Sequence, residues 1–151
     1  MKNQNYTAII MVDKPVHDTF KAINNVSKWW TDDLTGNSQK LNDEFTVQFG
    51  DIHKTAQKII EFVPDRKVVW LVTESRLNFI EDKEEWKNTK ISFELTGQGD
   101  NTEIHFTHIG LVPEVECFKS CSKGWDYYIK GSLFKFLTEG KGTPGYNGNL
   151  R

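Results

Sequence analysis

The strongest constraint on the fold is a long amphipathic pattern that follows Pro113. At about 100° per residue, one largely apolar set of side chains falls within a single arc of about 160°. This set is Cys117, Phe118, Cys121, Trp125, Tyr128, Ile129, Ser132, Leu133 and Phe136. The charged side chains outside the arc are Lys119, Lys123, Asp126 and Lys130. The pattern predicts a helix of about 24 residues that ends before Gly140 and buries one face.

The chain before this helix predicts a first strand, two short helices and then a sheet. Residues 6–12 are apolar and rich in β-formers, which indicates a strand. Asp13 and Pro15 are typical of the start of a helix, and a second short helix includes 26–30. Alternating apolar and polar residues then predict further strands, joined by turns as an antiparallel meander. These predicted strands are 45–49, 55–63, 67–73, 91–95 and 102–109.

These elements predict an α+β fold with one core. A strongly curved antiparallel sheet wrapped around the long C-terminal helix accommodates all of them, and a flat sheet against a helix is the alternative. The length of 151 residues fits one domain, 1–142, with a flexible Gly- and Pro-rich tail at 143–151. The 10 Phe, 5 Trp and 4 Tyr residues supply the apolar area that such a core needs.

The charge and hydropathy patterns exclude several classes of protein. The formal net charge is −2, without the clustered excess of Lys and Arg that nucleic-acid binding requires. No apolar run approaches the roughly 18 residues of a membrane span, and the N-terminus lacks a secretory apolar stretch. We therefore expect a cytoplasmic protein that neither binds nucleic acid nor spans a membrane.

Two cysteines, Cys117 and Cys121, lie one turn apart on the predicted helix. Their side chains run nearly parallel there, a geometry that does not readily close a disulfide. A metal site is the alternative, but none of the 4 histidines has ligand spacing to this pair. The prediction is buried reduced thiols, with no metal and no cofactor.

The inward face of the predicted helix is not purely aliphatic. It carries Trp125, Tyr128 and Ser132, whose N–H and O–H groups need partners when buried. His108 lies in phase with Phe106 on a facing strand. Aromatic walls with a few polar groups are typical of a small-molecule pocket, although one hydrogen bond each would also satisfy these groups in a dry core. The predicted lining of a cavity between sheet and helix is Trp30, Trp70, Phe93, Phe106, His108, Cys121, Trp125, Tyr128, Ile129 and Ser132.

Two further aromatic positions carry predictions. Adjacent tryptophans Trp29 and Trp30 on one short helix cannot share a face, so we expect one in the core and favour structural packing for the other, with a place at the cavity mouth as the alternative. Phe134 falls nearly opposite Trp125 on the long helix and is expected to be exposed.

Five short blocks of the sequence, together with the order of elements, carry a family resemblance. They are 13–20 (DKPVHDTF), 29–30 (WW), 68–70 (VVW), 108–111 (HIGL) and 117–125 (CFKSCSKGW). Over residues 6–142 the chain resembles the helix-grip (START-like, SRPBCC) superfamily and, within it, the heat-shock protein 90 ATPase activator-like family. The resemblance implies two short helices after the first strand and an apolar cavity under the C-terminal helix.

The resemblance implies a ligand cavity more than a reaction, since superfamily members range from lipid and hormone carriers to polyketide cyclases. The predicted function is binding of a hydrophobic or amphipathic small molecule, such as a lipid, polyketide or aromatic metabolite. One alternative is an enzyme of cyclase or hydrolase type, with His108 as candidate base and Tyr128 as a donor. The other is a co-chaperone-like interaction module that presents the acidic segment 81–85 to a chaperone or another protein.

Overall fold

The protein is built on one seven-stranded antiparallel sheet, described by a computed structural model over residues 4–145. The strands are β1 (Tyr6–Val12), β2 (Leu34–Gly36), β3 (Glu44–Phe49), β4 (His53–Val63), β5 (Lys67–Leu77), β6 (Lys90–Gln98) and β7 (Asn101–Ile109). Their spatial order is β1-β7-β6-β5-β4-β3-β2. The predicted meander is confirmed from β3 to β7. The short strand β2 was not predicted, and β1 completes the sheet by pairing with β7.

Three helical regions accompany the sheet. Helix α1 (Val16–Asn24) buries Phe20 and Ile23, and a 3₁₀ turn (Val26–Lys28) follows it. The C-terminal helix α2 (118–139) is continuous through an α-helical, a π-helical and a second α-helical segment. These segments are Phe118–Trp125, Asp126–Leu133 and Phe134–Glu139. Helix α2 ends at Gly140, whose φ of 82° is the left-handed conformation that glycine adopts readily at a helix C-terminus. The predicted end of this helix is confirmed.

The sheet curves around the 22-residue helix α2, which is the helix-grip arrangement expected from the sequence. Alternate residues of β7 face the core, and its inner positions from Thr102 to His108 are buried. Two irregularities in the β4–β5 pairing, near Gln57 and near Glu61, bend this part of the sheet, because a bulge increases the local twist and bending of a strand. The α+β helix-grip prediction is confirmed.

One prediction about the cysteines is wrong: Cys117 and Cys121 form a disulfide rather than two reduced thiols. The prediction placed both residues inside the helix. Cys117 instead precedes the first residue of α2, and its backbone, with a ψ of 5°, is not helical. The two Cα atoms are 5.5 Å apart, a separation that a disulfide spans.

The structural packing favoured for the adjacent tryptophans is confirmed, and the cavity-mouth alternative is not. Trp29 and Trp30 are both buried, at 0% and 2% exposed, rather than one in the core and one at an opening. The 3₁₀ turn ends at Lys28, so helical geometry does not separate the two side chains, and their rings stack with centroids 6.2 Å apart. Phe134 is exposed, as predicted.

Residues 141–145 form a C-terminal strap that packs beside α2. The backbone N–H of Thr143 donates to Ser132 Oγ at 2.8 Å, and that of Gly145 donates to the Trp30 carbonyl at 2.9 Å. The predicted tail at 143–151 therefore begins within the strap, and its remainder, 146–151, lies outside the described residues.

The strap passes its neighbours most closely at Gly142. A Cβ atom there would lie 2.7 Å from the Lys28 carbonyl oxygen and 2.9 Å from that of Ser132. We expect Gly142→Ala to lower the free energy of unfolding by about 1–3 kcal/mol, because backbone oxygens cannot yield as a flexible side chain would. Urea denaturation measures the change.

Gly124→Ala is the matched control for this substitution. Gly124 lies in α2 with nothing within 4 Å of an added Cβ, so alanine should be neutral or should stabilise the helix by up to about 1 kcal/mol. Equal stability of the Gly142→Ala variant and the unchanged protein would contradict the close approach of the strap.

Candidate functional site

All 5 tryptophans of the chain meet between the concave face of the sheet and α2. This tryptophan cluster consists of Trp29, Trp30, Trp70, Trp86 and Trp125, none more than 4% exposed. The ring of Trp30 stacks on those of Trp70 and Trp125, with centroids 5.8 and 5.0 Å apart. Trp86 stacks on the ring of Trp125 at 5.8 Å. Stacked rings at these distances attract each other beyond their burial, so the cluster is a continuous aromatic layer.

Phenylalanines of the sheet complete this layer. Phe45 and Phe93 lie 5.0 and 5.1 Å from the ring of Trp70, and Phe106 lies 4.6 Å from that of Trp125. Side chains in mutual contact thus make up the interior under α2. The prediction of open space for a ligand there stays a prediction.

The ten residues predicted to line the site are all buried, with none more than 7% exposed. They are Trp30, Trp70, Phe93, Phe106, His108, Cys121, Trp125, Tyr128, Ile129 and Ser132. The aromatic residues among them come from the loop after the 3₁₀ turn, from β5, β6 and β7, and from α2. Burial on one face of each element is what the sequence pattern predicts, and the curved sheet brings these faces together.

Three of the predicted residues on α2 already have structural partners. The Tyr128 hydroxyl donates to the Gly145 carbonyl, and burial raises the pKa of this phenol. Ser132 Oγ donates to the Trp29 carbonyl at 2.6 Å. Cys121 belongs to the disulfide. Their role as ligand contacts stays a prediction.

His108, the candidate base, lies in a closed hydrogen-bond chain. Trp125 Nε1–H donates to His108 Nδ1 at 3.0 Å, so the neutral ring carries its proton on Nε2. Nε2 lies 2.8 Å from Thr89 Oγ1, and that hydroxyl donates to the Trp86 carbonyl. Burial, with a smaller contribution from nearby His53, lowers the pKa of His108 to about 3. The imidazole is therefore neutral, and its one acceptor lone pair is occupied by Trp125.

A second buried polar feature runs along the inner face of β4, and we call it the polar track. It consists of His53, Thr55 and Gln57 at alternate positions. His53 Nε2 lies 3.0 Å from Thr55 Oγ1, and Gln57 Nε2 donates to the same oxygen. His53 is half-buried, while the other two are fully buried. The polar track thus leads from a partly exposed imidazole into the aromatic interior.

The outer end of the polar track is surrounded by aromatic rings. The imidazole of His53 lies 4.9 Å from the rings of Phe49 and Trp86 and 6.1 Å from that of Trp30. Burial lowers the pKa of His53 to about 3, which keeps the ring neutral. The surroundings of His53 at the outer end of the polar track are therefore aromatic, and its own ring is uncharged.

The polar track was missed as part of the site. Its residues are in phase with buried Ile59 and alternate along the strand, so a period-two signal was present. The prediction treated Lys58 as an interruption of an apolar face, whereas the inner face of this strand is itself partly polar.

Two buried polar atoms in this region have no hydrogen-bond partner among residues 4–145: Gln57 Oε1 and Trp70 Nε1. Trp70 on β5 pairs in register with Ile59 on β4, two residues from Gln57. A donor and an acceptor without partners thus lie on adjacent strands, on the same inner face. The other two such atoms, Asn24 Oδ1 and Ser122 Oγ, belong to α1 and α2.

The connection between β5 and β6 (78–89) is held to the start of α2 by two carboxylates. Glu85 accepts the backbone N–H groups of Glu116 and Cys117, at 2.6 and 2.9 Å. Glu116 accepts those of Glu81 and Asp82, at 2.8 and 3.1 Å, and these bonds lower its pKa. The acidic segment 81–85 is thus part of a reciprocal clasp within the protein.

The clasp positions Trp86 over the polar track. Trp86 Nε1 donates to Cys117 Sγ at 3.4 Å, and the ring packs edge-on against both His53 and His108, at 4.9 and 4.6 Å. Trp86 therefore lies over the outer end of the polar track, at His53.

Within residues 4–145, no group of three or more His, Cys, Asp or Glu side chains has a geometry that would hold a metal ion. The helices described there are all too short or too polar to cross a lipid bilayer.

Known structures share this fold. The solution structure of the Aha1 dimer from Colwellia psychrerythraea is 23% identical, with a TM-score of 0.74, over 92% of this chain and 99% of that one. SSP2350 from Staphylococcus saprophyticus is 14% identical, with a TM-score of 0.69, over 93% and 96% of the two chains. DynU16, from the dynemicin biosynthetic locus, is 16% identical, with a TM-score of 0.66, over 93% of this chain and 49% of its own. At such identities the similarity shows the fold alone.

No curated protein matches the chain significantly. One family model does, over residues 15–138, and its description is Activator of Hsp90 ATPase homolog 1-like protein. The match spans α1, strands β2 to β7 and all but the last residue of α2. It confirms the resemblance found in the sequence motifs. The chain therefore belongs to the Activator of Hsp90 ATPase homolog 1-like protein family.

Proposed function

We propose that this protein binds a hydrophobic or amphipathic small molecule, such as an aromatic metabolite, a polyketide or a lipid, between the sheet and α2. The observation that carries the proposal is the polar track that leads from half-buried His53 into the tryptophan cluster. A core that served only stability would favour Leu, Ile and Val, which have no polar atoms to satisfy. Broad aromatic walls with a few placed polar groups suit an amphipathic ligand instead.

The chemistry of the interior supports an aromatic or polycyclic ligand in particular. A flat ligand that enters the cluster exchanges ring-to-ring contacts for ring-to-ligand contacts of similar geometry. Trp86 belongs to a connection rather than to a strand or helix, and it covers the outer end of the polar track at His53. Its movement would admit such a molecule along the track. The structural similarity to DynU16, a protein of a biosynthetic locus, agrees with a small-molecule role.

A catalytic role has less support than binding. The acceptor lone pair of His108 is occupied by Trp125 Nε1–H, and its Nε2 contacts Thr89. A general base needs a lone pair free to take a proton from the substrate. The hydrogen bond to Trp125 would have to break first.

The family membership supports one other candidate, a co-chaperone-like partner of heat-shock protein 90. The surface first considered for it, the acidic segment 81–85, uses its Glu85 carboxylate in the internal clasp. That engagement favours small-molecule binding over docking through this segment.

Titration with N-phenyl-1-naphthylamine, a neutral aromatic probe, tests the proposal. We expect saturable quenching of tryptophan emission, because all five indoles lie in the cluster. A probe that binds only the native state at 100 times its Kd raises the free energy of unfolding by about 2.7 kcal/mol. For a chain of this size the melting temperature should then rise by about 5–10 °C.

Phe134→Ala is the control for this titration, because Phe134 lies exposed on α2 and its loss should leave probe binding unchanged. Linear, non-saturable quenching without a thermal shift would contradict the proposal. An increased ATPase rate of heat-shock protein 90 in a parallel assay, with no probe binding, would favour the co-chaperone candidate instead.

A further inference from the structure

We propose that the polar group of the ligand is uncharged and carries both a hydrogen-bond acceptor and a donor, as a primary amide does, and that it binds between Trp70 Nε1 and Gln57 Oε1. This inference rests on the proposed function and adds the chemical class of the ligand's polar group.

The indole N–H of Trp70 is the first half of this site. Trp70 is 0% exposed and its Nε1 has no partner among the described residues. Three other indoles of the cluster do have one. Trp29, Trp86 and Trp125 donate to the Ile23 carbonyl, to Cys117 Sγ and to His108 Nδ1. Buried N–H groups are nearly always paired in folded proteins, so this donor is available for an acceptor that enters the cluster.

The amide oxygen of Gln57 is the second half. Gln57 is also 0% exposed, and its Nε2 donates to Thr55 Oγ1. With the amide oriented by that bond, Oε1 points away from Thr55 and has no donor. Gln57 and Trp70 are diagonal neighbours across the β4–β5 pair, a position at which aromatic and long side chains can approach each other. A polar group between them must accept from an N–H and donate to a carbonyl oxygen.

The charge of the interior decides between neutral and ionised groups. No Asp, Glu, Lys or Arg side chain is buried among residues 4–145. The histidine of the polar track, His53, and the buried His108 are neutral because burial lowers the pKa of each to about 3. A carboxylate or an ammonium group would lose its hydration there without gaining a counter-charge, which is strongly unfavourable.

Three isosteric probes distinguish the head groups on one naphthalene scaffold. 2-Naphthamide has an acceptor and a donor, 2-acetylnaphthalene has only the acceptor, and 2-naphthoate is ionised at pH 7.5. Titration calorimetry should show the ketone binding about tenfold more weakly than the amide, because one hydrogen bond is lost. The carboxylate should bind at least about a hundredfold more weakly than the amide, because its charge is left uncompensated.

Gln57→Leu removes the proposed acceptor and should abolish the difference between amide and ketone. The matched control is Gln48→Leu on β3, whose amide donates to the Gly50 carbonyl at the surface, and it should keep that difference. A second readout avoids dependence on the stability of a variant. In ¹⁵N-labelled protein, the indole peak of Trp70, assigned with Trp70→Phe, should move downfield with the amide.

Each other outcome overturns the inference in a recognisable way. Equal affinities for the three probes, or tightest binding of the carboxylate, would refute the head-group assignment and leave the proposed function standing. An indole peak of Trp70 that exchanges magnetisation with water and ignores the amide would show that a buried water fills the site. Absence of binding by these probes and by N-phenyl-1-naphthylamine would refute both proposals.

Discussion

Trp125→Ala is expected to lower the free energy of unfolding by about 5 kcal/mol, at the upper end of the roughly 3–5 kcal/mol typical for the loss of a buried aromatic side chain. The side chain is buried, and its ring contacts those of Trp30 and Phe106 at 5.0 and 4.6 Å. Its removal leaves a large void in the cluster and deprives His108 Nδ1 of its donor. Domains of this kind are stable by only about 5–15 kcal/mol. Urea denaturation followed by far-ultraviolet circular dichroism measures the loss without using tryptophan emission.

Two variants separate the contributions to this effect. Trp125→Phe keeps most of the ring and removes the N–H, so it should destabilise less than alanine does. Phe134→Ala changes an exposed aromatic residue of the same helix and should stay within about 0.5 kcal/mol of the unchanged protein. A loss below about 1 kcal/mol for Trp125→Ala would show that the cluster is not the centre of the core.

Acidification is expected to produce the other large loss of stability. Burial lowers the pKa of His53 and His108 from 6.5 to about 3 in the folded protein. Between these values the unfolded chain binds protons that the folded chain does not, so the free energy of unfolding decreases as the pH falls. Full stability is present above pH 6.5, and the slope approaches about 1.4 kcal/mol per pH unit for each histidine. His53 is half-buried, so solvent reduces its share and His108 dominates.

Denaturation midpoints measured from pH 7.5 down to pH 5 test this dependence, since most carboxylates titrate below that range. His53→Gln should reduce the slope by less than half, because the buried His108 remains. The matched control, His105→Gln, alters an exposed histidine of β7 and should leave the slope as it is. If the denaturation midpoint of the unchanged protein did not depend on pH in this range, the fold would not be lowering the pKa of either imidazole.

The amphipathic pattern of 118–139 predicted α2 because one face of a long helix must be buried, and the side chains of that face repeat with the helical period. The alternation of β6 and β7 identified their inner residues for the same reason. Strand β2 escaped prediction because three residues, Leu34–Gly36, are too few for a periodic signal. The disulfide escaped because the start of α2 was placed before Cys117 rather than after it.

The candidate site was also predicted only in part. Burial of Trp70, His108 and Trp125 followed from their phase within single elements. The hydrogen bond from Trp125 to His108 did not, because it joins α2 to β7 across 17 residues of sequence. The polar track was missed because the prediction looked for an apolar face interrupted by Lys58, whereas the inner face of β4 carries His53, Thr55 and Gln57.

The amino-acid sequence by itself determined the buried face of α2 and of strands such as β6 and β7, and with them the helix-grip fold. Its periodicity records whether a side chain meets water or protein, since that distinction repeats along one element. Only the tertiary structure decided which buried atom meets which. It brought five distant tryptophans together, paired the N–H of Trp125 with His108 and left that of Trp70 without a partner. Such pairings depend on the distances between atoms of different elements, and a pattern within one element does not record those distances.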